Sequence, residues 1–465
     1  MIFTYIRRSF CLLVFALSSF ATMFSGTAPV LMISIDGLKP EYVTQADAHG
    51  LHIPTLRRFV QEGTYAEGVI PVLPTVTYPN HTTLITGVWP DEHGILNNQL
   101  FDPERKLAGA WYWYAESIRV PTLWDAAHRA GIRTASVSWP VSVNATSVDT
   151  LIPEYWRTSS PSDGGNAQDR YLMAAISRPD SALAEMEERL GSYMMGNDTS
   201  VEGDATRTRF ALDILKNKKP GFMTIHLSAM DSSEHKAGPF SAEANGTLEA
   251  VDGMVKQLME AALKNDPRTK IVIVSDHGFL NITHTVNLYI PFVQAGLIQF
   301  GKHAGYEGET TTVSSWKAQL WSAGGVTAVM LHDPADVATK EQVHEILTKL
   351  AADPENGIDQ VMDAKQAAEF GGFSGATYLI VMKQGYTAGP ALSGALVVMQ
   401  STLKGSHGFW PLFPEMQSSF FIMGDGVAHG RNLGVIDMRQ IAPTIARILG
   451  VELPSAKQSV LRIKQ

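Results

Sequence analysis

The chain has 465 residues, 45% of them hydrophobic and 18% charged, with a formal net charge of −9 and one cysteine. Ample apolar content with mixed charges excludes a disordered chain, the lone Cys11 excludes a disulfide framework, and the acidic balance argues against a nucleic-acid polymer as partner. The length admits two or three domains, or one large core with an insertion.

Residues 1–28 read as an export signal. Arg7 and Arg8 open it, an apolar run follows at 10–17, and small residues at 19–21 and 25–28 suit cleavage. The run is shorter than the ~20 residues of a membrane span. The expectation is an exported chain, periplasmic or secreted, with no stable membrane insertion after signal removal. Apolar runs at 30–35, 134–138, 222–227 and 271–274 predict strands. The first and last lack polar alternation, as strands buried on both faces do. Helices are predicted at 54–61, with Leu56, Phe59 and Val60 on one face, at 122–129, over the long amphipathic stretch 242–264, and around Ile441, Ile445, Ile448 and Leu449, closed by Gly450. Strands alternating with helices predict an α/β fold with a largely parallel central sheet flanked by helices. The block 305–387 breaks the rhythm. Strand-like 326–331 and 377–382 enclose helical 340–352 and 364–369, a small inserted α+β subdomain that leaves 29–304 and 388–465 as the core.

Ligands of open parallel sheets gather at the carboxyl ends of the strands. Two predicted strands end there in a carboxylate, Asp36-Gly37 and Asp276-His277-Gly278; an Asp before Gly is also ordinary turn chemistry. The third is followed by Asp231 and His235, whose i, i+4 spacing puts both on one helical face. His407 lies in Gly405-Ser406-His407-Gly408, where backbone can bend closely around a metal. Three carboxylates and three imidazoles are a mixed donor set that suits Zn²⁺. They suffice for two ions with three protein ligands each, an arrangement able to stabilise in-line displacement at phosphorus. Thr77, in Pro74-Thr75-Val76-Thr77-Tyr78-Pro79-Asn80-His81, lies where a helix begins. It is either a nucleophile favoured by the helix's positive end or an inert N-cap just outside the helix.

The string from Pro74 to His81, Pro90-Asp91-Glu92-His93-Gly94-Ile95 and Ser275-Asp276-His277-Gly278 resemble the nucleotide pyrophosphatase/phosphodiesterase family of the alkaline phosphatase superfamily, in order over nearly the whole chain. The resemblance implies an alkaline-phosphatase-like core and a two-zinc hydrolase of phosphodiester or pyrophosphate bonds, acting on a small-molecule phosphodiester or nucleotide. It makes Thr77 the nucleophile of a covalent phospho-threonine intermediate. Asp231, His235 and His407 would hold one zinc; Asp36, Asp276 and His277 would hold the other, which also binds Thr77. Asn98 would donate to a phosphate oxygen, Tyr78 would lie against a nucleotide base, and Tyr155 would face it across the slot. His81 and His93 would support the site from behind, and His226 and His284 are read as structural.

Met230 and Glu234 depart from the family's usual Pro and Gly. Glu234 either orients a ligand or faces water. A monoesterase, a phosphonate hydrolase and a lipid head-group phosphodiesterase share the same metal core. A monoesterase needs extra cationic donors, and no Lys-x-Arg pair follows Trp139-Pro140-Val141-Ser142. An inactive binding protein would be expected to have lost ligands or the hydroxyl, and all are present.

Overall fold

The computed structural model describes residues 26–107, 110–157, 166–194, 197–305 and 308–464. The export signal expected at 1–28 falls almost wholly outside them. Among the described residues no helix is long and apolar enough to cross a membrane.

The apolar runs form the middle of an eight-stranded sheet. Val30–Ile35 lies between Phe222–Leu227 and Lys270–Val274, parallel to both. Thr134–Val137 and Thr150–Ile152 extend the parallel set beyond Phe222–Leu227. On the other side Phe420–Met423 runs antiparallel to Lys270–Val274. Every residue of Val30–Ile35 is buried, because helices cover both faces. Leu31, Ile33 and Ile35 face one apolar layer with Leu56, Phe59, Phe210 and Leu248. Val30 and Met32 face the other with Leu84, Trp124 and Ile445. The period of two is therefore present but hidden, both faces being apolar.

The helices start and stop for local reasons. Thr122 caps Leu123–Arg129 in a reciprocal box with Asp125. Ser241 caps Ala242–Asn265. Gly450 closes Ile441–Leu449 at φ 67°.

The expected block contains an antiparallel sheet, ordered Ala318–Ser322, Val326–Leu331, Tyr378–Met382, Ile358–Asp363, with helices Val337–Ala352 and Ala364–Ala368. Ala318–Ser322 and Ile358–Asp363 make this sheet two strands larger than the pattern predicted; the outward positions of Ile358–Asp363 carry Asp and Gln, which mask its apolar signal. The boundaries expected at 304/305 and 387/388 each fall inside a strand, Ile298–Gly305 and Tyr386–Ala388. Tyr386–Ala388 joins Leu280–Val286 and Val397–Ser406 in a further sheet. One apolar cluster runs from Leu280 through Phe292, Val329 and Ile380 to Met416, so we propose that the smaller unit begins near residue 280.

Candidate metal centre and active site

Asp36 and Asp276 leave the carboxyl ends of neighbouring parallel strands. Gly37 turns at φ 75° between them, and any side chain there would meet Glu234 and Phe279. Its N–H donates to Asp276 Oδ1 at 3.2 Å. Asp231 and His235 sit on the helix Ala229–Ala237. The start of that helix is pinned by buried Asp204, which accepts from the N–H groups of Ser228 and Ala229 and pairs with Arg207 at 2.8 Å. His407 arrives by a third route. Val397–Ser406 pairs with Leu280–Val286, Ser406 opposite Leu280, which carries His407 back beside His277. Gly408, at φ 81° under the carbonyl of Ala323, allows the bend.

All six predicted ligands thus come together. Asp231 Oδ1 lies 3.5 Å from Nε2 of both His235 and His407. His277 Nε2 lies 3.1 Å from Asp276 Oδ2 and 3.4 Å from Asp36 Oδ1, and its ring stacks on His407 at 3.8 Å. Two triplets have donor atoms within 4.8 Å of one another: Asp231, His277, His407 and Asp36, Asp276, His277. His277 therefore stands between the two halves.

The hydrogen bonding shows what this cluster accommodates. His235 Nδ1 donates to the Gly405 carbonyl at 3.1 Å and His407 Nδ1 to the Thr75 carbonyl at 3.2 Å. With Nδ1 carrying the donated proton, each ring turns its Nε2 toward Asp231 Oδ1; for His407, whose charged form burial disfavours, this sets a lone pair against a carboxylate oxygen, acceptor facing acceptor. Among the described residues, Asp36 Oδ1, Asp231 Oδ1, Asp276 Oδ2 and both nitrogens of His277 are buried and have no hydrogen-bond partner. Such groups are costly unless a ligand satisfies them. Burial, with Asp276 and Asp231 nearby, holds the Asp36 carboxyl well above its ordinary range. Burial works the same way on Asp276, but His277 and His81 outweigh it and hold that carboxyl below its range. Burial, His277 and His235 hold His407 well below the usual imidazole value. Bound cations would relieve these conflicts together, and the N/O donor set fits zinc.

Thr77 is the first residue of the helix Thr77–Thr86, with Val76 in the cap position. It is therefore not the N-cap that the sequence left open. It keeps 8% exposure, and its hydroxyl has no hydrogen-bond partner among the described residues. The loop before it is braced by buried Asn80, which accepts from Val72 N–H and donates to the carbonyls of Pro74 and Val76. Behind it His81 bonds the Thr77 carbonyl at 2.9 Å and Ser34 at 2.8 Å. Asn98 accepts from the Tyr78 N–H at 2.8 Å, leaving its NH₂ as a donor beside Thr77. Asn97 spends its side chain on the Ser322 carbonyl and the Asn98 N–H. The two asparagines, equivalent in the sequence, are separated by these bonds.

The model of the type I phosphodiesterase/nucleotide pyrophosphatase family matches residues 30–410. The chain belongs to this family. Human ectonucleotide pyrophosphatase/phosphodiesterase family member 1 is 28% identical over 264 residues, 54% of this chain and 24% of that protein. Venom phosphodiesterase 2 of Crotalus adamanteus is 24% identical over 271 residues, 55% of this chain and 27% of that one. The chain thus spans about a quarter of the length of these curated relatives. Murine ectonucleotide pyrophosphatase/phosphodiesterase 5, solved in complex with AMP, shares the fold with a TM-score of 0.62 at 17% identity, covering 93% of this chain and 97% of that one. The α/β core is accordingly the alkaline-phosphatase-like fold of this family.

The aromatic residues depart from the family expectation. Tyr78 is fully buried. Its ring meets Trp111 edge-on at 5.1 Å, and its hydroxyl donates to Glu154 Oε1 at 2.8 Å. No ring face is left for a base, which corrects the role expected of it. The reason is that Ile95, Trp113, Val141 and Val143 close an apolar cluster around it. Tyr155 is half-buried and packs on Trp113 at 5.0 Å. Trp156, 38% exposed, abuts Trp111 at 4.9 Å. Glu234 does not face water. It is fully buried, accepts from the Tyr42 hydroxyl at 2.9 Å, and burial pushes its carboxyl well above the ordinary range.

Sequence reasoning passed over two members of the site. His226 is not merely structural: it bonds Asp36 Oδ2 through Nε2 at 3.0 Å and Glu154 Oε2 through Nδ1 at 2.8 Å. Burial alone would lower its pKa, but Glu154 and Asp36 outweigh that and raise it. Glu154, 7% exposed, carries no local signal of a site role. A Glu between Pro153 and Tyr155 reads as a loop residue, and no short motif links it to residue 226.

Proposed function

We propose that this protein is an exported, zinc-dependent hydrolase of phosphodiester or pyrophosphate bonds in small molecules, with nucleotides the first substrate class to test. The observation that carries this reading is the set of buried carboxylate and imidazole atoms that make no hydrogen bond among the described residues, joined through His81, which bonds the Thr77 carbonyl and lies 3.6 Å from Asp276 Oδ2, to a threonine at a helix start. Asp231, His235 and His407 are assigned to one zinc, and Asp36, Asp276 and His277 to the other. Bound zinc would supply Lewis-acid stabilisation and lower the pKa of the attacking hydroxyl. Thr77 Oγ gives its proton to solvent and forms the new bond to phosphorus as the bond to the leaving oxygen breaks, that oxygen departing with the electron pair and taking a proton from solvent where it needs one; water then attacks the phospho-threonine, releasing the phosphoryl product and returning the proton to the Thr77 hydroxyl. The Asn98 NH₂ donates to a non-bridging oxygen as negative charge develops. The N-terminal end of the Thr77–Thr86 helix adds a favourable field for the phosphoryl group.

A second reading, a lipid head-group phosphodiesterase, is favoured by the burial of Tyr78, which removes the ring expected to face a base. The remaining aromatic surface, Trp111, Tyr155 and Trp156, is compatible with either leaving group. The test is a panel: p-nitrophenyl thymidine monophosphate, a glycerophosphodiester and p-nitrophenyl phosphate, each with and without chelator. Chelator-sensitive turnover of a diester well above the monoester is expected. Faster monoester hydrolysis, or turnover indifferent to chelation, would overturn the assignment.

A further inference from the structure

Asp36 divides its two carboxylate oxygens between different tasks. Oδ1 makes no hydrogen bond among the described residues and lies 3.4 Å from His277 Nε2, whereas Oδ2 is held by His226. His226 can do this because the parallel register places it opposite Ser34, two residues before Asp36. Its ring is held from the other side by Glu154 Oε2 at 2.8 Å, with the Ser138 carbonyl at 3.2 Å from the same nitrogen. The second oxygen of Glu154 accepts from the hydroxyl of Tyr78. Tyr78 follows Thr77, and its own N–H is bonded to Asn98. Glu154, His226 and Tyr78 are all buried, so water does not compete for these bonds and each geometry constrains the next.

A carboxylate bonded through one oxygen cannot swing the other away from a cation, and groups that hold a ligand this way tune affinity and activity. We propose that Glu154 and His226 are positioning residues of the reaction: Glu154 fixes the His226 ring, which turns Asp36 Oδ1 to the cation, and through Tyr78 the same carboxylate holds the segment bearing Thr77 and Asn98 in register with that cation. This assignment rests on the zinc-hydrolase reading above and extends it to residues outside the ligand set.

Glu154→Gln is the direct test. Its amide keeps the shape but removes the negative charge facing His226, and the contact with Tyr78 survives only by reversing direction, the NH₂ donating to the hydroxyl. Metal-free wild type and variant are titrated with Zn²⁺ against a chromophoric competing chelator, alongside circular dichroism, thermal melting, and kcat and KM. The expected result is a 10–100-fold weaker affinity at one of two zinc sites, with kcat lowered, KM within about threefold and secondary structure unchanged. His226→Asn should weaken the same site. Tyr78→Phe should leave zinc affinity within about twofold and lower kcat several-fold, because it frees the Thr77 segment without touching Asp36. Wild-type zinc affinity and kcat in Glu154→Gln, with only a lower melting temperature, would overturn the proposal. If neither polar variant folds, Tyr78→Phe decides, since it deletes a single oxygen; an unchanged kcat there overturns the coupling. A wild-type chain that binds no zinc would instead defeat the hydrolase reading itself.

Discussion

Asn98 carries two separable jobs, and two substitutions pull them apart. Its side-chain carbonyl accepts the N–H of Tyr78, one of the first-turn donors of Thr77–Thr86 that have no partner within the helix. Its NH₂ is the group assigned to the phosphate oxygen. Asn98→Ala removes both. Loss of a cap-like acceptor costs about 1 kcal/mol of stability, and loss of an oxyanion donor lowers kcat by about 10²–10³. Asn98→Asp keeps an acceptor for Tyr78 and adds a negative charge at a helix N-terminus, a contribution of about 0.3–1 kcal/mol in the stabilising direction. It nevertheless abolishes the donor and repels an anionic substrate, so its kcat should fall at least as far. Urea unfolding midpoints and steady-state kinetics on both variants supply the comparison. Opposite shifts in midpoint with a shared loss of kcat are expected. Retention of kcat within tenfold in Asn98→Asp would refute the donor role, and midpoints falling equally in both would refute the capping role.

Further outcomes follow from the same geometry. Thr77→Ala should lower diester turnover by about 10⁴-fold or more while two zinc ions are retained, and the wild type alone should yield a labelled threonine on rapid quenching. His235→Ala should weaken one zinc site and leave the other, measured by metal content after dialysis, because among the described residues its polar contacts are with the Gly405 carbonyl and Asp231. His93 is buried and neutral, accepting from Ile95 N–H and bonding Thr83, and burial lowers its pKa to about 3. Below pH 6.5 the unfolded chain protonates this ring and the folded chain refuses the proton, so its contribution is full above pH 6.5 and lost on acidification. Between pH 7 and pH 5 that amounts to about 2 kcal/mol; His93→Gln should flatten the pH dependence of the unfolding midpoint by that amount, and an identical slope would contradict it. Trp156→Ala should raise KM for an aromatic diester several-fold more than for a glycerophosphodiester; equal effects on both would remove it from the substrate surface.

Much of this protein is determined locally and can be read along the chain. Val30–Ile35 and Lys270–Val274 are apolar throughout because helices cover both faces of the sheet, and that signature needs no partner to be legible. Thr122 with Asp125, Ser241 and Gly450 mark helix ends through bonds spanning only a few residues. The metal-ligand types and the threonine are equally local, since each lies in a short string with its own turn chemistry. The strands Thr64–Tyr65 and Phe420–Met423 were not legible, being too short to carry a period and made strands by pairing with each other and with Lys270–Val274.

Tertiary structure alone decided the rest. His407 reaches Asp231 because Val397–Ser406 pairs with a strand more than a hundred residues earlier. Asn98 differs from Asn97 only through bonds to Tyr78 and Ser322. Tyr78, which by position should meet a substrate, is sealed by Ile95, Val141 and Trp113, and His226 and Glu154 join the site only because neighbouring strands place them behind Asp36. Periodicity and caps report forces acting within a few residues. Which distant side chains share a buried hydrogen bond depends on strand register and packing, and those are set only when the whole core closes.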